Sequence, residues 1–248
     1  MPRALHHERY REAPVSAPWV ECRSAPAIEP GMIHLWLLEL DSTSSASVDG
    51  LDGPLSPDER RRAQQFLSPI DRDRFIRARW GLRRVLAGYL GIGASDVGFE
   101  LGAKGKPRLG LGLDHRIRFN VSHSSGLGLV AVSREHEVGV DIERIRLGLD
   151  VSAIASRVFS PEEIERLSRI APDWRPAEFF RLWVRHEAAG KCRGVGLEEP
   201  PQEYHGVTLV DFDVGDAYAA AVAVGSGAET RPTLMRLRLG EEALRRGP

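Results

Sequence analysis

In the stretch "VGVDIERIR" (138–146), Val138, Val140 and Ile142 fall at every second position and Asp141 and Glu143 at the alternate ones. Side chains two apart on a strand share a face, so the pattern predicts a strand with one apolar and one acidic side. At that spacing the two carboxylates stand about 7 Å apart and repel unless water, a base or a cation lies between them. A solvated acidic face and a cation site both fit the local pattern.

Upstream, "MIHLWLLEL" (32–40) predicts a short apolar strand. In "LSPDERRRAQQF" a helix should begin, with Ser56 as cap, Pro57 at the first helical position and Glu59 completing a capping box. The segment "RFIRARWGLRRVLAGYLG" places Phe75, Leu82, Leu86 and Tyr89 on an amphipathic helix that stops at Gly91, its arginines turned to solvent. Three strand-like runs follow, "VGFEL", "IRFNVSH" and "LGLVAVS", with the loop "GAKGKPRLG" after the first. Beyond the acidic strand come a helix at "FSPEEIERL", capped by Ser160 with Glu163 in a second capping box, and another through "AEFFRLWVRHEAAGKC". The strands "GVTLVDF", "AYAAAVAV" and "TLMRLRL" complete the chain.

The order reads as an α+β fold of two related halves, each passing from strand through helices to strands, without a residue-level repeat. The division falls near residue 138: a first subdomain over 31–138 and a second over 139–248. Residues 1–30 carry Pro14, Pro18, Pro26 and Pro30 without apolar periodicity, which predicts a poorly ordered extension.

Composition narrows the partners. With 34 basic and 35 acidic residues the net charge is −1, so nothing marks a general nucleic-acid or membrane-surface binder. There is no amino-terminal signal pattern and no apolar run near 18 residues. A cytoplasmic protein is expected, with Cys22 and Cys192 as free thiols.

The helix "WVRHEAAGK" sets Glu187 and Lys191 four apart on the face of Trp183. Such a pair is ordinarily a surface ion pair worth about 0.3 to 0.5 kcal/mol. Joined with Asp141 and Glu143, Glu187 would instead finish an oxygen-rich site suited to magnesium, which keeps substrate phosphates among its ligands. Two stretches could neutralise the rest of a polyphosphate. In "AKGKPR", Gly105 permits a tight turn and Lys104 and Lys106 offer point charges, although a basic hairpin tip has the same composition. In "NVSHSSG", Ser122 and His123 offer a hydroxyl and an imidazole, although a histidine after a strand is often structural. "SHSS" lacks a nucleophile elbow, and "LGLGLD" lacks the strand-to-helix setting of a dinucleotide loop.

The series "LSPDERRRAQQF", "GKP", "FNVSHS", "VGVDIE", "FSPEE" and "WVRHEAAGKCRGVGL" resembles the motifs of the 4'-phosphopantetheinyl transferases of the surfactin type, over residues 31 to about 225. The resemblance implies two similar α/β subdomains related by a pseudo-twofold, with coenzyme A in the cleft between them. It implies Asp141, Glu143 and Glu187 as ligands of magnesium, or manganese in its place, and Lys191 as a phosphate contact. Arg62 and the turn at Lys104, Gly105, Lys106 and Pro107 resemble contacts on the 3'-phosphate and adenine side of coenzyme A, and Ser122 and His123 resemble further phosphate contacts. The implied reaction transfers the phosphopantetheine arm to a serine of an apo acyl, peptidyl or polyketide carrier protein and releases 3',5'-ADP, with Glu187 or a water beside it as base. One departure is His186, where the family usually has a lysine among the phosphate contacts; another is "GDAY" at 215–218, where relatives often carry Pro-Gly-Tyr. A monomer is expected. Two rival readings remain: a magnesium-dependent phosphodiesterase or nuclease, and a non-catalytic protein that binds coenzyme A or a carrier domain.

Overall fold

The computed structural model describes residues 18–41, 55–102, 105–194, 204, 206–225 and 233–239. Along the chain come β1 (Val20–Cys22), β2 (Met32–Glu39), α1 (Pro57–Gln64), α2 (Pro69–Leu90), β3 (Phe99–Leu101), β4 (Pro107–Leu109), β5 (Ile117–Ser124), β6 (Leu127–Arg134) and β7 (Val138–Arg144). Then follow α3 (Ser152–Val158), α4 (Pro161–Arg169), α5 (Arg175–Arg193), β8 (Val207–Asp211), β9 (Tyr218–Gly225) and β10 (Thr233–Leu239). The fold is α+β, as expected. A five-stranded sheet runs β1-β10-β2-β6-β5, a three-stranded sheet runs β7-β9-β8, and β3 and β4 form a small hairpin. Strand β10, the last among the described residues, lies parallel between β1 and β2 and so joins the first sheet. Residues 20–22, within the segment expected to lack regular structure, form β1 at its edge.

Both capping boxes are present. Ser56 Oγ accepts from the Glu59 amide at 3.2 Å while Glu59 Oε2 accepts from the Ser56 amide at 2.8 Å. Ser160 and Glu163 repeat this at 3.2 and 2.9 Å. Helix α2 starts earlier than the apolar spacing indicates, because Ser68 caps it and Pro69 takes the first helical position. It ends at Gly91, whose φ of 67° is the left-handed conformation of a helix stop. Strand β4 and helix α3 were not expected; Val151 makes no side-chain cap at α3, and Asp150 Oδ1 accepts the Ser152 amide at 3.0 Å instead.

The outward-facing arginines of α2 need correction. Arg83 is 3 % exposed. Its Nε donates to Glu59 Oε2 at 2.9 Å and its Nη1 to Val97 O at 2.7 Å, while the guanidinium lies 5.2 Å from the Phe99 ring centroid. Arg79 also binds Glu59, through Nε at 2.6 Å. A guanidinium can be buried when its donors all find acceptors and a carboxylate balances its charge. Burial pushes the Glu59 pKa up, but the two arginines and the Ser56 amide outweigh it and hold the carboxyl below its ordinary range. Glu59→Ala leaves Arg83 uncompensated and is expected to cost about 3 to 5 kcal/mol, read from the urea midpoint; a loss under about 1 kcal/mol would show the pair to be dispensable.

The first sheet packs Trp36, Leu38, Val130 and Val132 against Leu82 and Leu86 of α2. Within this core His34 is fully buried, its Nδ1 2.6 Å from Tyr89 Oη, which also accepts from Trp36 Nε1 at 2.9 Å. Burial lowers the His34 pKa from 6.5 to about 4. The unfolded chain therefore binds a proton between these values that the folded chain does not, so stability is full above about pH 6.5 and falls as the pH drops toward 4. For this residue the loss between pH 7 and pH 5 is about 2 kcal/mol. Denaturation of the wild type and His34→Asn at both pH values should show a smaller pH-dependent loss in the variant; equal slopes would assign the effect elsewhere.

Candidate active site at the seam between the sheets

Strands β5 and β7 are facing edges of the two sheets, and no backbone ladder joins them. Side chains of β5 bridge the seam instead. Asn120 Oδ1 accepts from the Val140 amide at 2.9 Å, Ser122 Oγ donates to Asp141 Oδ1 at 2.7 Å, and Ser124 Oγ donates to Glu143 Oε2 at 2.7 Å. Ser124 Oγ also accepts from the Arg144 amide at 3.1 Å. Three small polar residues at alternate positions thus face the acidic side of β7. Its other side, Val138, Val140 and Ile142, is fully buried among Leu35, Leu37 and Val222.

At Asp141 the acidic side is buried, with 3 % exposure, while Glu143 is half-buried. Helix α5 lies over it. At Gly139 a side chain would meet the carbonyl oxygen of Ala188 and the amide nitrogen of Cys192 far inside van der Waals contact, and Cys192 Cα at 3.0 Å. Helix and strand therefore meet backbone to backbone, which carries Glu187 and Lys191 to Asp141. Lys191 Nζ donates to Asp141 Oδ1 at 2.6 Å and to Ser122 Oγ at 3.0 Å, so this lysine is no surface partner of Glu187.

Asp141 Oδ2 is buried with no hydrogen-bond partner among the described residues. Burial, and then the charge of Asp141, hold both the Glu143 and the Glu187 carboxyls above their ordinary range, and Glu143 adds to the effect on Glu187. The three acids thus share one electrostatic neighbourhood. Among the described residues no three such side chains already surround a common point as a finished metal cage. The donor set nevertheless fits a hard divalent cation: it is all carboxylate oxygen, one oxygen is orphaned, and burial and neighbouring acids disfavour the charged forms of Glu143 and Glu187, which a cation would relieve.

His123 follows Ser122, and although its side chain reaches solvent, the protein around it, then the charges of Lys191 and Arg62, lower its pKa. Arg62, exposed on α1 with its guanidinium 5.6 Å from the Phe75 ring, thus belongs to the same region. The turn expected at Gly105 has a φ of 80° and leads into the unexpected strand β4. Lys106 does not present a free ammonium. Its Nζ donates to Glu137 Oε2 at 2.8 Å, Val138 O at 3.1 Å and Cys192 O at 3.4 Å, tying β4 to β7 and to the end of α5. Lys104 lies outside the described residues.

His186 points to a different set of partners. Its Nε2 lies 3.1 and 3.0 Å from the oxygens of Glu163, its ring stacks on Phe159 at 5.3 Å, and Tyr204 covers it at 5.0 Å. Cys192 donates to Glu137 O at 3.2 Å, and burial raises its thiol pKa to about 11, which makes it inert.

Ser124, Asn120 and Gly139 escaped the sequence reading as site residues. A signal existed for the first two: Asn120, Ser122 and Ser124 alternate with period two, the same period as the acids they meet. Gly139 gave none, because the need for a missing Cβ becomes visible only when the helix is in place.

Residues 137–233, from the residue before β7 to the first of β10, match the family model described as the 4'-phosphopantetheinyl transferase superfamily. The 4'-phosphopantetheinyl transferase HetI of Nostoc sp. is 39% identical over 166 residues, which are 66% of this chain and 70% of the relative. A 4'-phosphopantetheinyl transferase of Bacillus subtilis is 29% identical over 157 residues, 63% of this chain and 68% of the relative. The human L-aminoadipate-semialdehyde dehydrogenase-phosphopantetheinyl transferase is 27% identical over 174 residues, 66% of this chain and 56% of the relative.

Proposed function

This chain belongs to the 4'-phosphopantetheinyl transferase superfamily, and from that premise we propose that it moves the phosphopantetheine arm of coenzyme A to a serine of an apo acyl or peptidyl carrier protein. The observation that carries the reading is the buried, unpartnered Asp141 Oδ2 beside Lys191, in a setting that raises the pKa of two further acids. The serine oxygen attacks the coenzyme A phosphorus that bears the pantetheine arm, and a new O–P bond forms. The P–O bond to the adenosine side breaks, and 3',5'-ADP leaves with the electron pair. Glu187, or a water beside it, accepts the serine proton. A divalent cation, magnesium or manganese, held by Asp141, Glu143 and Glu187 would neutralise the diphosphate and stabilise the leaving phosphate.

Lys191 holds Asp141 and stands ready to offset charge on the phosphates. Ser122 acts through Asp141 and Lys191, each of which it bonds. Arg62 and His123 supply the side toward the 3'-phosphate. Lys106 would have to leave Glu137 to join them. In this reading the two sheets are cores of two halves related by a pseudo-twofold, with coenzyme A along the seam of β5 and β7. The seam residues named above all come from one copy, which fits a monomer, and coenzyme A and carrier proteins as substrates fit a cytoplasmic protein.

The experiment follows 3',5'-ADP release by chromatography, with coenzyme A and magnesium, in the presence and absence of an apo carrier protein. Release that depends on the carrier supports transfer. Release without a carrier would make the protein a phosphodiesterase, and binding of coenzyme A without release would make it a binding protein.

A further inference from the structure

We infer that His186, with Glu163 and Tyr204, forms a clamp that sets the rotation of α5 and so aims Glu187, and that it does not touch the phosphates of coenzyme A. The inference rests on the reading of the seam as the transfer site. Glu163 accepts the Ser160 amide at 2.9 Å, His186 Nε2–H at 3.0 Å and the Tyr204 hydroxyl at 3.1 Å. One buried carboxylate thereby joins the start of α4, the middle of α5 and the residue Tyr204 ahead of β8. Burial pushes its pKa up, but the bonds from His186, Ser160 and Tyr204 prevail and hold it below the ordinary range, so the acceptor is ionised. Packed between Phe159 and Tyr204, with an acid on its nitrogen, the ring has no face or Nε2–H left for a phosphate.

A second observation supports a structural assignment. Ser56-Pro57-Asp58-Glu59 and Ser160-Pro161-Glu162-Glu163 are the same helix-opening motif, one in each half. In the first half the capping-box glutamate is gripped by Arg79 and Arg83 of the following long helix, α2. In the second half it is gripped by His186 of the long helix α5. The first-half grip lies on Phe99 and the carbonyls of Ala94 and Val97, inside a core. The device fastens a long helix to the helix before it, and in α5 the fastened residue immediately precedes Glu187.

Gly139 sets how closely α5 approaches β7, and the clamp sets which way its acidic face turns. A reacting group displaced by about 1 Å can lose about 100-fold in rate, so a small rotation of α5 is enough to matter.

The test measures kcat and KM for coenzyme A, and calorimetric affinity for 3',5'-ADP, in His186→Phe, His186→Gln, Glu163→Gln and Tyr204→Phe. His186→Phe and Glu163→Gln are each expected to lower kcat about 10-fold while KM and 3',5'-ADP affinity stay within about twofold. His186→Gln, whose amide nitrogen reaches about as far as Nε2, should recover at least half of the wild-type kcat. The double variant His186→Phe/Glu163→Gln should be no worse than His186→Phe, because both remove one unit. Should His186→Phe fail to fold by circular dichroism, Tyr204→Phe carries the test, with kcat down about threefold at unchanged KM. A raised KM or a weakened 3',5'-ADP affinity with kcat intact would place the ring on the phosphates and overturn the inference, as would unchanged kcat in Glu163→Gln and Tyr204→Phe. Absence of transfer by the wild type is a different failure, and it would overturn the function and not the clamp.

Discussion

Asp141→Ala is expected to reduce transfer of the arm by about 1000-fold or more, with the fold retained. Asp141 is where the seam's bonds converge: Oδ1 takes the Ser122 hydroxyl and the Lys191 ammonium, and Oδ2 is left buried and unpartnered. Removing the side chain deletes a proposed cation ligand and releases Lys191, which among the described residues keeps Ser122 Oγ and the Val140 carbonyl at 3.4 Å. Folding should survive, since the apolar face of β7 is untouched and the variant removes charge from a crowd of acids. Single-turnover transfer together with circular dichroism checks this outcome. A folded Asp141→Ala protein with more than about a tenth of the wild-type rate would remove Asp141 from the machinery.

Gly139→Ala should damage stability and activity together. The added methyl group would meet backbone atoms of Ala188 and Cys192, which, unlike the end of a flexible side chain, cannot swing aside. Helix α5 would have to lift from β7, at a cost of about 3 kcal/mol or more. The same lift draws Glu187 and Lys191 from Asp141, and a shift of about 1 Å predicts a rate loss near 100-fold in the folded fraction. Gly225→Ala on the neighbouring strand is the control, since its new Cβ would find only ordinary contacts, 3.5 Å from Glu137. Urea denaturation and kcat at a temperature where both variants are folded separate the two effects. Equal behaviour of the variants would mean that the close approach of α5 to β7 is not what builds the site.

Much of this architecture was legible in the chain because local signals suffice for it. Ser56-Pro57 and Ser160-Pro161 announce their helices through hydrogen bonds made within four residues, and the period-two pattern of β7 gives its two faces directly. Local spacing placed Glu187 beside Lys191, while the nearness of both to Asp141 depends on how α5 packs on β7. What the sequence could not disclose depends on partners distant along it. Arg83 resembles any solvent-facing arginine of an amphipathic helix until Glu59 is placed beneath it. Lys106 looks available until Glu137 and the end of α5 close around it, and His186 until Phe159, Glu163 and Tyr204 enclose its ring. Polar residues of this kind are assigned by who neutralises them, a tertiary property that no local pattern carries.

The most direct test of the central claim, that acids of β7 and α5 gather a divalent cation about which the arm is transferred, is intact-mass spectrometry of an apo carrier protein. The carrier is incubated with this protein and coenzyme A, once with magnesium and once with EDTA. The account predicts one phosphopantetheine arm on a carrier serine with magnesium and none with EDTA. Equal conversion in both samples, or an unmodified carrier in both when several carriers are tried, would contradict it.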